Sequence, residues 1–168
     1  RQIIGIVAQK SISVEDPDNS DLYKVGTLAK VVKTLNMPDG STMVILQGLD
    51  RFCLEELTQT EPYWMGKVKE YPDGAKDLPE NYMALAEAVK DMYLRVLKMV
   101  PNIPADPSFA IQNIENPYFL LNYVAAHLDI AIKEKQKLLE TNDFTKRANK
   151  VLSILSKELE LQKLKLEI

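Results

Sequence analysis

Few side chains in this sequence have the types and spacing that catalysis or metal binding requires. His127 is the sole histidine and Cys53 the sole cysteine. Because protein zinc sites are built from several His and Cys ligands, one chain cannot assemble a two-histidine motif or a thiolate cluster. We expect His127 to be a mostly buried, hydrogen-bonded helix residue, with a catalytic or ligand role as the lesser alternative. Cys53 lies in a strand context without a helix start to lower its pKa, so we expect it to be structural.

Motifs for nucleotide binding or acyl transfer are missing from the sequence. Gly66 and Lys67 are followed by Val68, so the G-x-x-x-x-G-K-[ST] phosphate loop is not formed. Neither a G-x-S-x-G elbow nor a G-x-G-x-x-G fingerprint is present. The 24 acidic residues allow many accidental carboxylate pairs, and none has a supporting context. We therefore expect no catalytic, cofactor-binding or metal-ligating residues, and a hydrolase centred on His127 or Cys53 ranks last.

Apolar and aromatic side chains beside polar turns are the better candidates for a binding role. Tyr63, Trp64 and Met65 form the densest such cluster, and Met37 and Met99 lie near the ends of predicted elements. Rings and thioethers are most often core residues, but when exposed they bind unrelated apolar segments adaptably. These are our candidate substrate-protein-binding residues: Met37, Tyr63, Trp64, Met65 and Met99. For Arg51, closing a sheet rim through hydrogen bonds is favoured over contacting a partner.

The elements that position these residues are strands in residues 1–75. The segment Pro38-Asp39-Gly40 is typical of a turn. Proline fixes its own φ, aspartate can accept a hydrogen bond from the backbone, and glycine can adopt the left-handed conformation, so the runs on either side should pair as a hairpin. Short strands without intervening helices predict a small antiparallel barrel or curled sheet, with a loop over residues 13–23. The predicted strands are Val25–Met37, Ser41–Leu49, Arg51–Leu57 and Trp64–Tyr71.

Helical periodicity begins at Pro79, so we place the domain boundary between residues 75 and 76. Residue patterns typical of helix N-termini occur at three places. They are the capping box Asp77/Glu80 and two pairs of an N-cap residue followed by proline, Asp106–Pro107 and Asn116–Pro117. Residues 118–132 are apolar nearly all round and predict the central helix of a bundle, with 133–140 continuing it or forming a separate short helix. Asn142 or Asp143 should cap a last helix of about 25 residues.

Composition limits the partners and the compartment. The net charge is −3 and the pI about 5.3, so no global field favours a polyanion, and we expect no nucleic-acid partner. A small-ligand or RNA-binding barrel is the alternative function, which the lack of an aromatic-plus-basic stripe disfavours. A single cysteine fits a reducing compartment, and no apolar run reaches membrane-spanning length. We expect a cytoplasmic protein without membrane contact.

Both ends of the sequence lead us to expect a piece of a longer protein. Residues 3–8 are apolar without a polar lead-in, as in a strand that is buried on both faces and needs a neighbour on each side. We expect one of these neighbours to be missing from this sequence. The last helical pattern runs to Ile168 without a stop signal, and its final leucines share no single straight face. Part of that surface should meet something that this chain does not contain.

Several motifs in order resemble the N-terminal domain of Lon-type ATP-dependent proteases. They are V-G-T-L-A at 25–29, P-D-G-S at 38–41, V-I-L-Q-G-L-D-R at 44–51, A-A-H-L at 125–128 and E-K-Q-K-L-L-E at 134–140. The resemblance spans nearly the whole chain. It implies a PUA-like β-barrel lacking its first strand, followed by a helical bundle with a long exit helix, and so agrees with the α+β class that periodicity predicts.

The same resemblance implies a non-catalytic module that captures unfolded or degron-bearing proteins and helps subunits assemble into a hexamer. The ATPase and serine-lysine protease segments of the family, with their ATP and magnesium, would follow Ile168, so no cofactor is expected in this segment. An open barrel edge could also recruit a second copy and give a dimer.

Overall fold

The chain folds into two units, which are described separately. The computed structural model describes residues 2–71, 78–101 and 107–168. One unit is Arg1–Pro72 and the other is Asp73–Ile168. The predicted boundary between residues 75 and 76 falls outside the described residues, so it stays a prediction.

The first unit, here the sheet unit, is an antiparallel meander. Within residues 2–71 the strands of the sheet lie side by side in chain order. The sheet is open, because β1 pairs only with β2, β4 pairs only with β3, and these two edge strands do not pair with each other. A short 3-10 turn, Asn19–Asp21, lies in the loop between β1 and β2. The strands are β1 (Ile3–Ile6), β2 (Val25–Asn36), β3 (Thr42–Gln59) and β4 (Met65–Glu70).

Strand β1 forms where the apolar run predicts a strand, but its complete burial is wrong. Ile3 is 58% exposed and Ile6 39% exposed. Among the described residues β1 has a partner along one edge only, the antiparallel pairing Ile3 with Lys30 to Ile6 with Thr27. Phe52 lies against Gly5 on one side of the strand and Ile4 is half-buried, but the free edge and the exposure of Ile3 and Ile6 show that the run does not sit in the middle of a sheet.

The predicted strands Ser41–Leu49 and Arg51–Leu57 are one continuous strand, β3. Gly48 pairs with Ala29 and Asp50 with Leu28, so Leu49 is an extra residue in a β-bulge and pairing continues past it. A bulge absorbs one residue with a local increase in twist instead of ending the strand. The predicted break at Asp50, between Leu49 and Arg51, is therefore wrong.

The core of the sheet unit is small and lies toward the second half of β3. Leu22, Phe52 and Leu54 are buried, and three further side chains pack against them, namely Val7, Leu28 and Leu57. Gly26 is required beside this core, because a Cβ there would collide with the Ile6 carbonyl oxygen and approach Phe52 Cζ to 2.9 Å. The first half of β3 has no comparable layer over it, since residues 42–50 are all exposed.

The second unit, here the helical unit, packs its helices around one core. Helix α1 contacts α2, α3 and α5, and α3 also contacts α4 and α5. Eight side chains are essentially inaccessible to water, and full burial of each contributes roughly 1.5–3 kcal/mol. They are Phe144, Ile111, Leu120, Leu121, Leu155, Val89, Val124 and Val151. The helices are α1 (Tyr82–Met99), α2 (Ser108–Gln112), α3 (Pro117–Ala126), α4 (Ile132–Glu140) and α5 (Phe144–Glu167).

Two of the predicted helix starts are confirmed. Asn116 Oδ1 accepts from the backbone N–H groups of Tyr118 (2.9 Å) and Phe119 (3.1 Å), with Pro117 at the first helical position. Asp143 Oδ2 accepts from Lys146 N at 3.1 Å and caps the 24-residue α5. Such caps satisfy N–H groups that have no partner within the helix.

The other two predicted caps fall partly outside the described residues. Asp77 and Asp106 cannot be placed, whereas α1 begins after Asn81 without a side-chain cap. Pro107 is itself the N-cap of α2 rather than its first helical residue.

The single helix predicted over residues 118–132 is wrong. Helix α3 ends at Ala126, where its last turn tightens into bonds from His127 N to Val124 O (3.0 Å) and from Leu128 N to Ala125 O (3.3 Å). Leu128 is then buried in the core, which fixes the chain in this turn. Of the two alternatives for residues 133–140, the separate short helix is correct.

Candidate functional site: an exposed apolar surface on the sheet unit

The outer half of the β2–β3 hairpin carries an apolar surface that faces water. Met43 to Leu46 are four consecutive residues of β3, each between 38% and 49% exposed. Because successive side chains of a strand point to opposite faces, this run exposes apolar groups on both faces of the ribbon. We name six residues the hairpin patch: Val32, Met43, Val44, Ile45, Leu46 and Leu49.

Two members of the hairpin patch occupy β-bulges. Register shifts place Leu49 and Val32 as the extra residues opposite β2 and β3, respectively. They are 46% and 56% exposed. A bulge twists a strand and disrupts regular edge pairing, which limits sheet-to-sheet aggregation. The ribbon thus presents its apolar side chains on a strand pair whose regular pairing is interrupted by two bulges.

The turn of this hairpin is held by the residues that the sequence singled out. Met37 N donates to Ser41 O (2.9 Å), and Gly40 adopts a φ of 89°. Asp39 Oδ1 accepts from the Ser41 hydroxyl (2.5 Å) and from Ser41 N (2.9 Å). These two hydrogen bonds hold the pKa of Asp39 below its ordinary value of 3.8. Met37 is half-buried here, so it offers less surface than the neighbouring patch.

Three of the predicted binding residues lie together at the opposite end of β3. Tyr63, Trp64 and Met65 are 62%, 44% and 50% exposed, and we name them the turn cluster. Gln59 Nε2 donates to Tyr63 O at 2.9 Å, which ties the turn back to the end of β3. The structure therefore brings these three together and separates them from Met37 by the length of β3.

A groove of about 560 Å³ opens beside Trp64 within the sheet unit. The residues that line it are Glu15, Asp16, Pro17, Asp18, Asn19, Leu57, Thr60, Glu61 and Trp64. Most of one wall is the loop that precedes β2, and a capping box between Asp18 and Asp21 holds that loop. Hydrogen bonds from Ser20 keep the pKa of Asp18 below 3.8, so this carboxylate is ionised at neutral pH.

The side chains considered for catalysis have other surroundings. The prediction that His127 is mostly buried is wrong: it is exposed at the end of α3 because the helix stops there. Its ring stacks on Tyr123 with centroids 4.4 Å apart, and Nδ1 lies 2.8 Å from Tyr123 O.

Cys53 is half-buried in β3, and the Arg51 guanidinium lies 4.7 Å from the Tyr71 ring centroid. Among the described residues no three His, Cys, Asp or Glu side chains are placed to hold a metal ion.

In the helical unit, Met99 is half-buried and packs against the core. The end of α5 is more exposed, and Leu164 and Leu166 are 57% and 72% accessible. This exposure agrees with the absence of a single straight apolar face in the sequence.

Sequence reasoning missed the hairpin patch. The run Met43-Val44-Ile45-Leu46 predicts a strand, but an unbroken apolar run is typical of a strand buried on both faces. Its exposure follows from the lack of a second layer of structure over this part of β3 in the described residues. The sequence does not reveal whether such a layer is present.

Comparison with known proteins identifies the family. The profile of the family described as the ATP-dependent protease La (LON) substrate-binding domain matches residues 1–157. The chain belongs to this family. The family resemblance carried by the five motifs is thereby confirmed.

Relatives of this Lon substrate-binding domain are longer proteins named Lon protease. The Lon protease of Flavobacterium johnsoniae is 40% identical over 167 residues, which are 99% of this chain and 20% of that protein. The Lon protease of Parabacteroides distasonis is 40% identical over 169 residues, with 100% and 20% coverage. The chain thus spans about a fifth of the length of these curated relatives.

Solved Lon domains share the fold. The N-terminal domain of the Mycobacterium avium complex Lon protease superposes with a TM-score of 0.68 at 18% identity, covering 92% of this chain and 90% of that one. The arrangement of a four-stranded antiparallel sheet plus helices is therefore that of a Lon N-terminal domain. No helix in the described ranges is both long and apolar enough to cross a bilayer.

Proposed function

We propose that this chain binds unfolded or degron-bearing proteins for a Lon-type protease through exposed apolar side chains of its sheet unit. The observation that carries the proposal is the hairpin patch, a contiguous apolar surface on both faces of a β-ribbon. A folded client hides most of its apolar side chains, whereas an unfolded client can bring them onto this surface and remove both from water. The patch therefore distinguishes the two states by chemistry that needs no catalytic residue.

Binding by one copy is expected to be weak and multivalent. Each patch side chain already has about half of its surface covered, so a client gains only the remainder. Part of that gain offsets the entropy lost by ordering the client, and we expect a Kd in the micromolar range or weaker. A hexamer of the full-length protein would place several patches around one client and raise their effective concentration.

Isothermal titration of the 168-residue chain tests this proposal. The probe is reduced, alkylated lactalbumin, with the native protein as the matched folded control. We expect weak binding of the unfolded form and none of the native form. Equal binding of both forms would contradict recognition of unfolded chain, and a nanomolar Kd for one monomer would contradict the avidity argument.

Membership of the Lon family supports the remaining functional assignments. We propose that the full-length protein is an ATP-dependent serine endopeptidase that acts in the cytoplasm, and that ATP and magnesium bind in other segments of it. The sheet would belong to a PUA-like barrel, and the helices to a bundle that leads into the exit helix.

Assembly with further copies is part of the proposal. The support is the free edge of β1 in the described part of the sheet, which carries Ile3 and Ile6 and no charged side chain. Such an edge is a template for strand pairing. We expect the isolated chain to form dimers, and light scattering that finds a strict monomer at high concentration would contradict this.

A further inference from the structure

The groove beside Trp64 combines an apolar lining with a negative rim. Pro17, Leu57 and Trp64 supply apolar surface, and Trp64 is 44% exposed. The carboxylates that line the groove belong to Glu15, Asp16, Asp18 and Glu61. None of the lining residues in this described part of the chain is cationic.

Among the described residues, no ion pair involves any of these four carboxylates. The nearby Lys24 ammonium instead donates to Asn19 Oδ1 (3.1 Å) and Asn19 O (3.4 Å). Carboxylates gathered in one concave surface give a focused negative potential, which attracts cations and repels phosphate groups and acidic peptides.

Hydrogen bonds at both ends of the loop that precedes β2 hold one wall of the groove. Gln9 Nε2 donates to Ser11 O (3.2 Å) and Val14 O (3.0 Å) and so fixes the start of its loop wall. Lys10 N donates to Asp21 O (2.8 Å), which fixes the end. A preformed wall costs a ligand less ordering entropy than a wall that must assemble on binding.

We propose that this groove binds a lysine or arginine side chain of an unfolded client protein. An indole face attracts a cation more strongly than other aromatic rings do. The alkyl stem of a long cationic side chain can cover Leu57 and Pro17 while its charged head meets the rim. This inference rests on the proposed function and adds a substrate class to it, namely clients that carry a cationic residue within an apolar segment.

Tryptophan fluorescence provides a direct test, because Trp64 is the only tryptophan of the chain. The probes are two short, unstructured peptides of leucine, glycine and serine that differ only in carrying arginine or its neutral isostere citrulline. Titrated into the full chain at low salt, the arginine peptide should shift Trp64 emission and bind about tenfold more tightly than the citrulline peptide. Added salt should shrink this difference, since the rim charges are solvent-exposed.

Variants separate the groove from general surface charge. The double variant Asp16→Asn/Glu61→Gln should lower the preference for arginine to about threefold or less and leave the affinity for the citrulline peptide unchanged. Glu55→Gln/Glu56→Gln is the matched control, because it removes the same number of charges and both residues are exposed on β3 outside the groove. It should keep the full preference.

The outcomes distinguish this inference from the proposed function. Equal affinities for the two peptides, or a preference that the double variant retains, would overturn the groove assignment. If unfolded lactalbumin still binds in that case, recognition by the hairpin patch stands. If neither peptide nor lactalbumin binds, the proposed function fails as well.

Discussion

Replacing two side chains of the hairpin patch should weaken client binding without unfolding the chain. The variant Val44→Thr/Ile45→Thr removes apolar surface at adjacent positions of β3, on opposite faces of the ribbon. Val44 is 43% exposed and Ile45 is 44% exposed. Threonine is also β-branched, so the strand preference of both positions is kept.

The expected loss follows from these exposures. Full burial of such a side chain contributes ~1.5–3 kcal/mol, so covering its exposed two-fifths contributes about 1 kcal/mol. Two positions give about 2 kcal/mol, or about 30-fold in Kd. Because threonine retains one methyl group, we expect the measured loss to be about tenfold.

Isothermal titration with reduced, alkylated lactalbumin measures this loss. The matched control is Gln47→Thr, which introduces the same residue at an exposed position of β3 without removing apolar surface. The free energy of unfolding of all variants in urea should stay within about 0.5 kcal/mol of the parent chain. If the double variant is equally stable and binds the client as tightly as the parent, the hairpin patch is not the binding surface.

Three further expectations concern the scaffold. Gly26→Ala should destabilise the sheet unit by several kcal/mol in urea unfolding, because the new Cβ would collide with the Ile6 carbonyl and Phe52. The control Gly48→Ala should cost only about 1 kcal/mol or less, because its Cβ would meet only Thr27 Cγ2, at 3.5 Å. Equal losses of unfolding free energy in the two variants would contradict the packing described. The pKa of Asp39, followed by NMR, should lie below 3.8 and rise toward that value in Ser41→Ala. Because folding lowers this pKa, the stabilisation of the turn is complete above pH 3.8 and is lost as the pH falls through the pKa of the folded state. An Asp39 pKa of 3.8 in the folded chain would refute this. Asp143→Ala should lower the free energy of unfolding of the helical unit by about 1 kcal/mol, because the N-cap of α5 is lost. Lys146→Ala is the control, since it keeps the capping carboxylate. Equal losses of unfolding free energy in the two variants would contradict the capping role.

The elements that local chemistry determines could be predicted from the sequence. The hairpin turn at Pro38–Gly40 forms because each residue favours its own backbone conformation there. Asn116 and Asp143 cap helices through their own side chains. In these cases the interaction partners lie within a few residues along the chain, so the sequence contains the necessary information.

What could not be predicted was whether an apolar residue is covered. Residues 3–6 and 43–46 have the composition of buried strands, yet all of the second run and all of the first except Ile4 are exposed. Burial depends on another layer of structure at that place, and periodicity within one segment does not report it. The exposure of His127 has a different cause, the tight turn that ends α3, which the apolar pattern of residues 118–132 also does not report.

The turn cluster shows the intermediate case. Tyr63, Trp64 and Met65 were chosen because an apolar cluster adjoins a polar turn, and all three are exposed in the structure. Whether they contact a client stays a prediction, as it does for Met37 and Met99. The groove beside Trp64 was out of reach from sequence, since its walls come from residues 15–19 and 57–64, which folding alone brings together.

Methionine methyl NMR tests the central claim most directly. The chain has six methionines, so labelling their methyl groups gives six reporters spread over both units. On addition of reduced, alkylated lactalbumin, we expect the signals of Met43 and Met65, each about half exposed, to shift, while that of Met92, which packs against the helical core, stays in place. Unchanged Met43 and Met65 signals in the presence of bound client would contradict capture by the exposed apolar surface of the sheet unit.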